Sequence, residues 1–427
     1  MKILWVKVGG LIPLDTGGKI RSFNILRELA RQHDVTFFTT YEMHDRDIHG
    51  DLEKMFAKVI RYPLRIPQSR SFRHILRYAR SFFSQQPHQL FRYYDSQAAA
   101  ELLHLIEREK FDVIVCDFLA AAAMIPWNSP TPKVLFTHNV EALIWKRHYA
   151  VARNAFWKAV CWREYRATAL TEQRYLNLAD HVLTVSETDR DFFARKIQRT
   201  KISVVPTGVD LDFFRAAEHE EEESNTLVFT GSMDWMPNQD GILYFVNEIL
   251  PRIRKRIPST SLLVVGRSPS HQIMELSRKT EGIHVTGTVE DIRPHVRRGT
   301  VYIVPLRVGS GTRLKIFEAM AMGKAVVSTS IGAEGLPVQS GRDIFIADDP
   351  EQFANAVVEL LQDPVRRREL GQAARQLVAE RHGWDSVVRH FESALQASVD
   401  RGGKLSSNRL SASESAEPSV AAKVARG

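Results

Sequence analysis

The sequence predicts an α/β protein with two doubly wound parallel sheets, and three observations indicate this fold class. Short apolar runs alternate with longer amphipathic segments, as expected for parallel strands joined by helices. The alternation occurs twice, on either side of an acidic segment, AAEHEEEESN, at residues 216–225. The 427 residues are too many for one hydrophobic core and suit two domains.

The first series of apolar runs assigns residues 1–208 to an amino-terminal domain. Between its strands, segment 19–31 places apolar residues at helical spacing on one face, which predicts an amphipathic helix. A long helix is expected over about 150–178. The five predicted strands lie at residues 3–8, 34–40, 111–117, 133–139 and 181–186.

The second series assigns residues 209–383 to a domain of the same type. Its six predicted strands lie at residues 226–231, 261–266, 283–287, 301–306, 325–330 and 343–348. A last helix is expected at 384–397, packing back on the first domain. Residues 399–427 are rich in Ser, Gly, Ala and charge without periodicity, so we expect a disordered tail.

The composition is that of a globular protein, with 44% hydrophobic and 25% charged residues. No apolar run reaches the roughly 20 residues needed to span a bilayer. The start, MKILWVKVGG, is too short and too broken by Lys7 for a signal peptide, so we expect an intracellular, cytoplasmic protein. The two cysteines, Cys116 and Cys161, suggest neither a disulfide framework nor a metal cluster.

The net charge of +8 is unevenly distributed, because residues 61–94 contain seven arginines and no acidic residue, interleaved with aromatic residues. Such a stretch can bind nucleic acid or an anionic membrane surface. It can also be a solvated helix face with an aromatic core side. No nucleic-acid motif accompanies it, so we expect no nucleic-acid partner, and the membrane contact and the solvated face stay as alternatives.

The strongest candidate for a binding site is segment 304–336, VPLRVGSGTRLKIFEAMAMGKAVVSTSIGAEGL. A strand is followed by a glycine-rich turn and by a helix that opens near Thr312. Glycine lets the backbone approach a ligand closely, and the exposed amides of a helix start suit a phosphate. The turn is Gly309-Ser310-Gly311.

Two cations and a carboxylate follow this turn. Arg313 and Lys315 add positive charge beside the amides, and Arg313 can bind in bidentate fashion. Glu318 lies farther along the helix, where a carboxylate can accept hydrogen bonds from sugar hydroxyls. The alternative is an ordinary strand–helix unit in which Lys315 and Glu318 form an i,i+3 ion pair.

Two further clusters lie in the first domain. Gly17 and Gly18 open the first helix, and the nearby charges of Lys19 and Arg21 favour a binding role over a plain entry loop. His138, in the cluster 138–141, ends a strand where an open α/β sheet places its ligands. A lone histidine is more often structural, so on the residues alone both roles stay open.

Two segments contain metal-ligand residue types without suiting a metal. Asp210-Leu211-Asp212 lies in the segment between the domains, and residues 44–49 read as a solvated surface loop. We therefore expect no metal.

Taken together, these segments resemble glycosyltransferase family 4, whose members have the GT-B fold of two Rossmann-like domains facing a central cleft. The family's signature is two glutamates with seven residues between them, followed by an apolar strand. Its second half resembles Glu318-Ala319-Met320-Ala321 and Gly323-Lys324-Ala325-Val326-Val327. The resemblance extends to about residue 397 through Gly17-Gly18, Gly208-Val209-Asp210, Phe213, Val265-Gly266 and Trp384.

The chain departs from the family's pattern at two places. Ser310 stands where the family has its first glutamate, which contacts the transferred sugar, so the identity of that sugar stays open. Loop 231–235 lacks the family's usual Arg and Lys, and Arg313 and Lys315 are the expected substitutes. The pattern resembles a subgroup of sugar transferases that accompany bacterial exopolysaccharide and exosortase systems.

The resemblance implies a retaining glycosyltransferase that lacks an enzymic nucleophile and stabilises the leaving diphosphate while holding both substrates. Arg313, Lys315 and Glu318 would act on the phosphates and ribose, and His138 would contact the donor sugar. Turn 287–289 would support the base. The implied donor-binding residues are Gly17, Gly18, Gly287, Val289, Gly309, Ser310, Gly311 and Thr312.

The resemblance also implies the partners, which are a nucleotide sugar as donor and a lipid-linked glycan as acceptor at the cytoplasmic face of the inner membrane. No cofactor or metal is implied. One rival is a sugar-nucleotide epimerase of the same fold, and the use of 61–94 as an acceptor groove argues against it. The other is a non-catalytic sugar-nucleotide-binding protein, which Ser310 keeps open.

Overall fold

The computed structural model describes residues 1–14, 16–42, 48–64, 86–152, 154–216, 222–309 and 312–414, with backbone alone at 48–49 and 402–414. Within these ranges the chain forms two α/β domains, each built on a parallel sheet. The predicted class, two doubly wound parallel-sheet domains, is confirmed.

The first sheet consists of β1 (Lys2–Val8), β2 (Asp34–Glu42), β3 (Lys58–Leu64), β4 (Val113–Asp117), β5 (Lys133–Phe136), β6 (His181–Thr184) and β7 (Ile202–Val204). Its order is β3-β2-β1-β4-β5-β6-β7. Strands β1 and β4 are almost fully buried, as expected for parallel strands covered on both faces. Strands β3 and β7 were not predicted from the sequence. Strand β3 contains a proline and polar residues, and β7 has only three residues, which is too short for a clear apolar run.

The second sheet consists of β8 (Thr226–Thr230), β9 (Ser261–Val265), β10 (Ile283–Val285), β11 (Val301–Val304), β12 (Val326–Ser328) and β13 (Phe345–Ile346). Its order is β10-β9-β8-β11-β12-β13, and all pairs are parallel. All six strands lie within the predicted runs. In each sheet the order of the strands changes direction beside the first strand, between β1 and β4 and between β8 and β11. Open α/β sheets bind their ligands at such a switch point.

The helices of the first domain are α1 (Gly17–Leu29), α2 (His88–Tyr93), α3 (Ser96–Arg108), α4 (Glu141–Val151), α5 (Ala155–Leu178) and α6 (Glu187–Phe193). The single helix expected over about 150–178 is wrong at its start. Helix α4 ends at Val151, and Asn154 caps α5, its side-chain oxygen accepting from the Trp157 amide at 3.1 Å. An N-cap asparagine favours a new helix start at this position.

The second domain has α7 (Met236–Tyr244), which continues through a π-helical turn (Phe245–Ile249) into α8 (Leu250–Arg256). Helices α9 (His271–Lys279), α10 (Arg293–Arg298), α11 (Leu314–Ala321), α12 (Pro350–Gln362) and α13 (Pro364–Arg381) follow. The apolar residues of α11, including Ile316 and Phe317, are buried in the core of this domain. This packing fixes α11 against the sheet of its own domain.

The last helix, α14 (Trp384–Glu414), returns to the first domain. Its residues Trp384, Val387 and Phe391 belong to the core around β1, and the Phe391 ring stacks on Trp5 at 5.4 Å. The expectation of a structureless tail from residue 399 is wrong for 399–414, because the packed start of α14 lets the helix extend by one hydrogen bond per residue. Residues 415–427 lie outside the described residues.

The two domains meet at the carboxyl ends of their strands. Leu314, at the start of α11, packs with residues of the first-domain core. Within the described ranges, no helix combines the length and the apolar character needed to cross a membrane. A ligand site is therefore expected at the edge where the two sheets meet.

Candidate functional site

The turn before α11 brings the backbone of the second domain close to a buried guanidinium. Gly309 has φ +148°, and a Cβ at this position would lie 2.0 Å from an Nη atom of Arg313. A side chain there would displace the guanidinium, so only glycine fits. Ser310 and Gly311, two of the predicted donor-binding residues, lie outside the described residues.

Arg313 stands at the N-cap position of α11 and is 5% exposed. Its guanidinium lies 5.7 Å from the centre of the Trp235 ring. Burial lowers the pKa of Arg313 to about 10, and the carboxylates of Glu334 and Asp189 partly offset this effect. Even so, the side chain stays cationic at neutral pH and places a positive charge at the helix start, as predicted.

Lys315 lies over the loop that follows β8. Its ammonium donates to Asn238 Oδ1 at 2.9 Å and sits 4.0 Å from the centre of the Phe229 ring. A Cβ on Gly231 would lie 2.5 Å from this ammonium, so Lys315 occupies the space above Gly231. Burial lowers the pKa of Lys315 to about 7, and the charge of Arg313 contributes to the shift. The lysine thus puts a cation beside the loop from which the family's own cations are absent.

Glu318 is the half-buried carboxylate on the same side of α11. Burial raises its pKa to about 7, while the charge of Lys315 acts in the opposite direction. Among the described residues, no ion pair or side-chain hydrogen bond involves its carboxylate, and Lys315 bonds to Asn238 rather than to Glu318. The simple i,i+3 ion pair is therefore not what this helix shows.

The predicted base platform follows β10 at the edge of the second domain. Gly287 has φ +72°, and a Cβ there would meet open space, so the turn is accessible and its left-handed conformation favours glycine. Val289 is half-buried against the domain core. The two residues lie at the carboxyl edge of the sheet that also carries Gly231 and α11.

On the first-domain side, a fully buried carboxylate lies at the centre of a polar network. Asp117 ends β4, and its Oδ2 accepts from Lys7 Nζ at 2.9 Å, Ser22 Oγ at 2.7 Å and Trp5 Nε1 at 3.0 Å. Burial alone would raise the pKa of Asp117, but Lys7 and His138 outweigh it and hold the pKa well below its usual value. The carboxylate is thus fully ionised and fully bonded.

His138 belongs to this network. Its Nε2 lies 2.7 Å from Asp117 Oδ1, its Nδ1 lies 2.9 Å from Arg21 Nη1, and its ring stacks on Phe118 at 3.8 Å. Because Arg21 can only donate, Nδ1 accepts and Nε2 carries the proton. Burial lowers the pKa of His138 to about 3, so the ring is neutral.

Arg21, rather than the His138 ring, reaches the second domain. Its Nη2 donates to Thr207 Oγ1 at 2.8 Å and to Thr312 Oγ1 at 3.0 Å. A sugar could contact His138 only after one of the two bonds to its ring nitrogens is broken. The predicted sugar contact of His138 stays a prediction.

The two glycines that open α1 are close to protein side chains. A Cβ on Gly18 would lie 2.4 Å from the Phe118 ring, and one on Gly17 would lie 3.0 Å from Leu314 Cδ1. Thr16 caps the helix, its hydroxyl accepting from the Lys19 amide at 3.4 Å. Gly17 therefore faces the start of α11, and Gly18 faces the Phe118 ring that stacks on His138.

Sequence reasoning missed a contact between the domains. Arg147 on α4 binds Glu334, which follows β12, through two hydrogen bonds of 2.6 and 2.7 Å, and it also donates to the Gly309 carbonyl. The two residues are 187 positions apart, so no local spacing could reveal the pair. Together with the Arg21–Thr312 bond, it joins the first domain to Gly309 and Thr312, which flank the turn before α11.

Comparison with protein families identifies both domains. A model described as Glycosyltransferase Family 4 matches residues 16–213, and a model described as Glycosyl transferases group 1 matches residues 224–363. The boundary between the two matches coincides with the acidic segment 216–225.

Two curated relatives carry the comparison further. A Klebsiella pneumoniae protein named "Uncharacterized 44.6 kDa protein in cps region" is 23% identical over 371 residues, which span 84% of this chain and 90% of that protein. Phosphatidyl-myo-inositol mannosyltransferase of Mycobacterium tuberculosis is 25% identical over 213 residues, 47% of this chain and 55% of that enzyme.

Solved structures share the architecture. Sucrose-phosphate synthase of Thermosynechococcus elongatus superposes with a TM-score of 0.69 at 19% identity, covering 96% of this chain and 100% of that one. Anabaena HepE, solved in complex with UDP-glucose, gives a TM-score of 0.66 at 14% identity, covering 93% of this chain and 100% of that one. These likenesses show the GT-B fold that the resemblance implied.

Proposed function

We propose that this chain, a glycosyltransferase of the family 4 type, moves a sugar from a nucleotide-sugar donor to a lipid-linked glycan with retention of anomeric configuration. Both family models describe transferases, which favours transfer over the epimerase and the non-catalytic binder. The relative from a cps region supports a role in polysaccharide synthesis.

One observation carries the proposal, namely the two half-buried groups of opposite charge on the polar side of α11. Burial lowers the pKa of Lys315 to about 7 and raises that of Glu318 to about 7. An anionic diphosphate beside Lys315 would favour its protonated form, and hydroxyl donors from a ribose would favour the ionised form of Glu318. A nucleotide thus supplies a counter-charge for Lys315, whose partners in the described part of the chain are the uncharged Asn238 and Phe229, and hydrogen-bond donors for Glu318.

In the proposed reaction, Arg313 and Lys315 stabilise the negative charge that develops on the diphosphate as the glycosidic bond breaks. Glu318 orients the nucleotide through its ribose, and the turn with Gly287 and Val289 holds the base. Gly17, Gly18, Gly309 and Thr312 would line the path of the donor phosphates, and the same role is proposed for Ser310 and Gly311, which lie outside the described residues. His138 would contact the sugar once the domains open and Arg21 withdraws.

No metal or cofactor is needed in this proposal, because two cationic side chains and the amides at the start of α11 can neutralise the diphosphate. Neutralisation by protein groups is the task that a divalent cation performs in other phosphate sites.

We further propose that the acceptor is presented at the cytoplasmic face of a membrane and that the basic stretch 61–94 contributes to contact with anionic lipid. The mannosyltransferase relative is named for a phosphatidylinositol acceptor, which supports a lipid-linked substrate here. Residues 65–85 of this stretch lie outside the described residues.

The proposal is tested by incubating the full chain with a panel of nucleotide sugars, with and without a polyprenyl-diphosphate-linked saccharide, and measuring nucleoside diphosphate release and product formation. We expect one donor to release its diphosphate in an acceptor-dependent manner and NMR to show a product with the anomeric configuration of the donor. An inverted product would contradict the retaining mechanism. Absence of release with every donor would contradict transfer itself.

A further inference from the structure

Helix α5 exposes a face that carries large apolar and cationic residues and no acidic residue. The helix has 24 residues, all of them described, and its two acidic residues, Glu164 and Glu172, are 1% and 3% exposed. Its outward positions therefore carry no negative charge. They are Phe156, Lys158, Trp162, Arg166, Leu170, Arg174 and Leu178, together with small or amide residues.

The apolar residues on this face are unusually exposed for their size. Phe156 is 77% exposed, Leu170 is 60% exposed and Trp162 is 48% exposed. From Trp162 onward, apolar and arginine side chains alternate every four residues, so they form one stripe along the helix. The Arg166 guanidinium lies 5.0 Å from the centre of the Trp162 ring, which holds the cation at the level of the aromatic ring.

Helix α5 is placed where such a face can reach a flat surface beside the cleft. The Ala142 amide, at the start of α4, donates to Glu172 Oε1 at 3.1 Å, so the two helices run side by side from the cleft edge. The part of α5 between 155 and 172 then extends about 25 Å beyond that level. Helix α4 in turn carries Arg147, which binds the turn at Gly309.

The described end of the basic stretch 61–94 adjoins the same helix. Arg163 donates to the Gln86 carbonyl at 3.0 Å, and the His88 amide donates to Glu164 at 3.1 Å. Near the end of α5, Arg195, Lys196 and Lys201 line a shallow depression beside Asn177, and Lys196 lies 3.6 Å from Glu172. Arg195 and Lys201 thus add positive charge beyond the carboxyl end of the stripe.

We propose that the exposed face of α5 is a docking surface for an anionic lipid bilayer, on which the helix lies parallel to the membrane plane. Its aromatic and aliphatic side chains enter the headgroup region, and Lys158, Arg166 and Arg174 pair with lipid phosphates. The purpose of this docking rests on the proposed function, because a lipid-linked acceptor in the membrane would then lie near the cleft.

Charge decides between a bilayer and the other possible occupants. A second copy of the chain docking through the same face would bring like charges together, which is unfavourable. Nucleic acid would satisfy the arginines and could stack on the aromatic rings, but it would leave the exposed Leu170 and Leu178, which have no ring to stack on bases, in contact with water. An anionic membrane surface matches both the cations and the apolar side chains.

The test is flotation of the full chain with phosphatidylcholine vesicles, with and without phosphatidylglycerol. The parent should float only with the anionic vesicles. Trp162→Ser/Leu170→Ser and Arg166→Ala/Arg174→Ala should each weaken binding by roughly 10- to 30-fold. The matched control is Arg368→Ala/Arg375→Ala, two exposed arginines on α13 of the second domain, and this pair should float like the parent.

Several results would overturn the proposal. One is normal flotation of both α5 variants, and another is loss of flotation in Arg73→Ala/Arg77→Ala alone, which would assign the contact to 61–94. A third is a dimer, seen by light scattering, that Trp162→Ser/Leu170→Ser dissociates without affecting flotation. If Trp162→Ser/Leu170→Ser has a lowered melting temperature, the flotation of Arg166→Ala/Arg174→Ala still tests the proposal. Vesicle-free turnover of a nucleotide sugar should be unchanged in the α5 variants, and its absence in the parent would count against the proposed function instead.

Discussion

The two sides of the cleft use their charged side chains in opposite ways. On the first-domain side, Asp117 and His138 are almost fully buried, and their polar atoms bond to other protein groups. On the second-domain side, Lys315 and Glu318 are half-buried, and burial shifts the pKa of each toward 7. A bonded network stabilises the shape of the cleft, whereas groups that burial pushes toward neutrality gain most from a charged ligand. We infer that the first side is mainly structural and that the second side binds the donor.

The largest expected effect is on stability and comes from Asp117→Ala. Removing this carboxylate leaves the buried Lys7 ammonium without its counter-charge, which should lower the free energy of unfolding by about 3–5 kcal/mol. Urea denaturation measures the change. Asp212→Ala is the control, because Asp212 is exposed, and it should have almost no effect. Equal stability of Asp117→Ala and Asp212→Ala would contradict the structural role of the first-domain side of the cleft.

The next effect concerns turnover and comes from Glu318→Gln. This variant keeps the shape of the side chain but not its charge, so it should lower transfer by roughly 10²-fold, as the loss of one preorganised polar group does elsewhere. The melting temperature should stay within a few degrees of the parent, since the carboxylate makes no side-chain bond in the described part. Glu359→Gln, at an exposed position of α12, is the matched control. Full activity of Glu318→Gln would show that the second side does not act on the donor.

A smaller effect is expected in the pH dependence of stability. His138 has a pKa of about 3 in the folded chain, lowered by burial, against about 6.5 when unfolded. The unfolded chain therefore binds a proton first as the pH falls, so the stability linked to a neutral His138 is complete above pH about 6.5 and is lost between there and pH about 3. Its contribution to the slope is about 1.4 kcal/mol per pH unit.

Urea denaturation between these limits should show a shallower slope for His138→Gln than for the parent. His181 has a pKa of about 4, also lowered by burial, and its contribution should persist in the variant. Parallel slopes for the two proteins would mean that His138 takes up a proton in the folded chain and is not held neutral by the network.

The smallest effect is expected from Arg147→Ala. The Arg147–Glu334 pair is 20% and 17% exposed, so its loss should cost about 1 kcal/mol or less. Because the pair joins the domains, the variant should open more readily, which small-angle scattering would detect as a larger radius of gyration. Arg190→Ala, which removes ion pairs within the first domain, should leave that radius unchanged. A loss of several kcal/mol would place Arg147 with the structural groups instead.

The sequence revealed the fold more completely than the site. Alternating apolar runs located eleven of the strands, because buried parallel strands need near-continuous apolar residues. It missed β3, where Arg61 and Pro63 interrupt the pattern at the sheet edge. Most of the second-domain candidates could be proposed from the sequence because they lie within one short segment, 309–318, whereas Gly287 and Val289 were proposed from the resemblance.

The first-domain side was harder to predict because its contacts join distant positions. Asp117 stood out only as the last residue of an apolar run, and nothing local shows that it pairs with Lys7 110 positions away. The direction of the His138 ring depends on Arg21, 117 positions earlier. Such pairings are set by how strands and helices assemble, so spacing in the sequence carries no trace of them.

The most direct test of the account compares nucleoside diphosphate affinity in two variants, Lys315→Ala and His138→Ala, by titration calorimetry against the parent. We expect Lys315→Ala to bind at least roughly 10-fold more weakly, because a charged contact contributes about 1.5–3 kcal/mol. His138→Ala should stay within about twofold for the free diphosphate, even if it is less stable and turns over more slowly. Undiminished affinity in Lys315→Ala together with a large loss in His138→Ala would contradict the account and assign donor binding to the first domain.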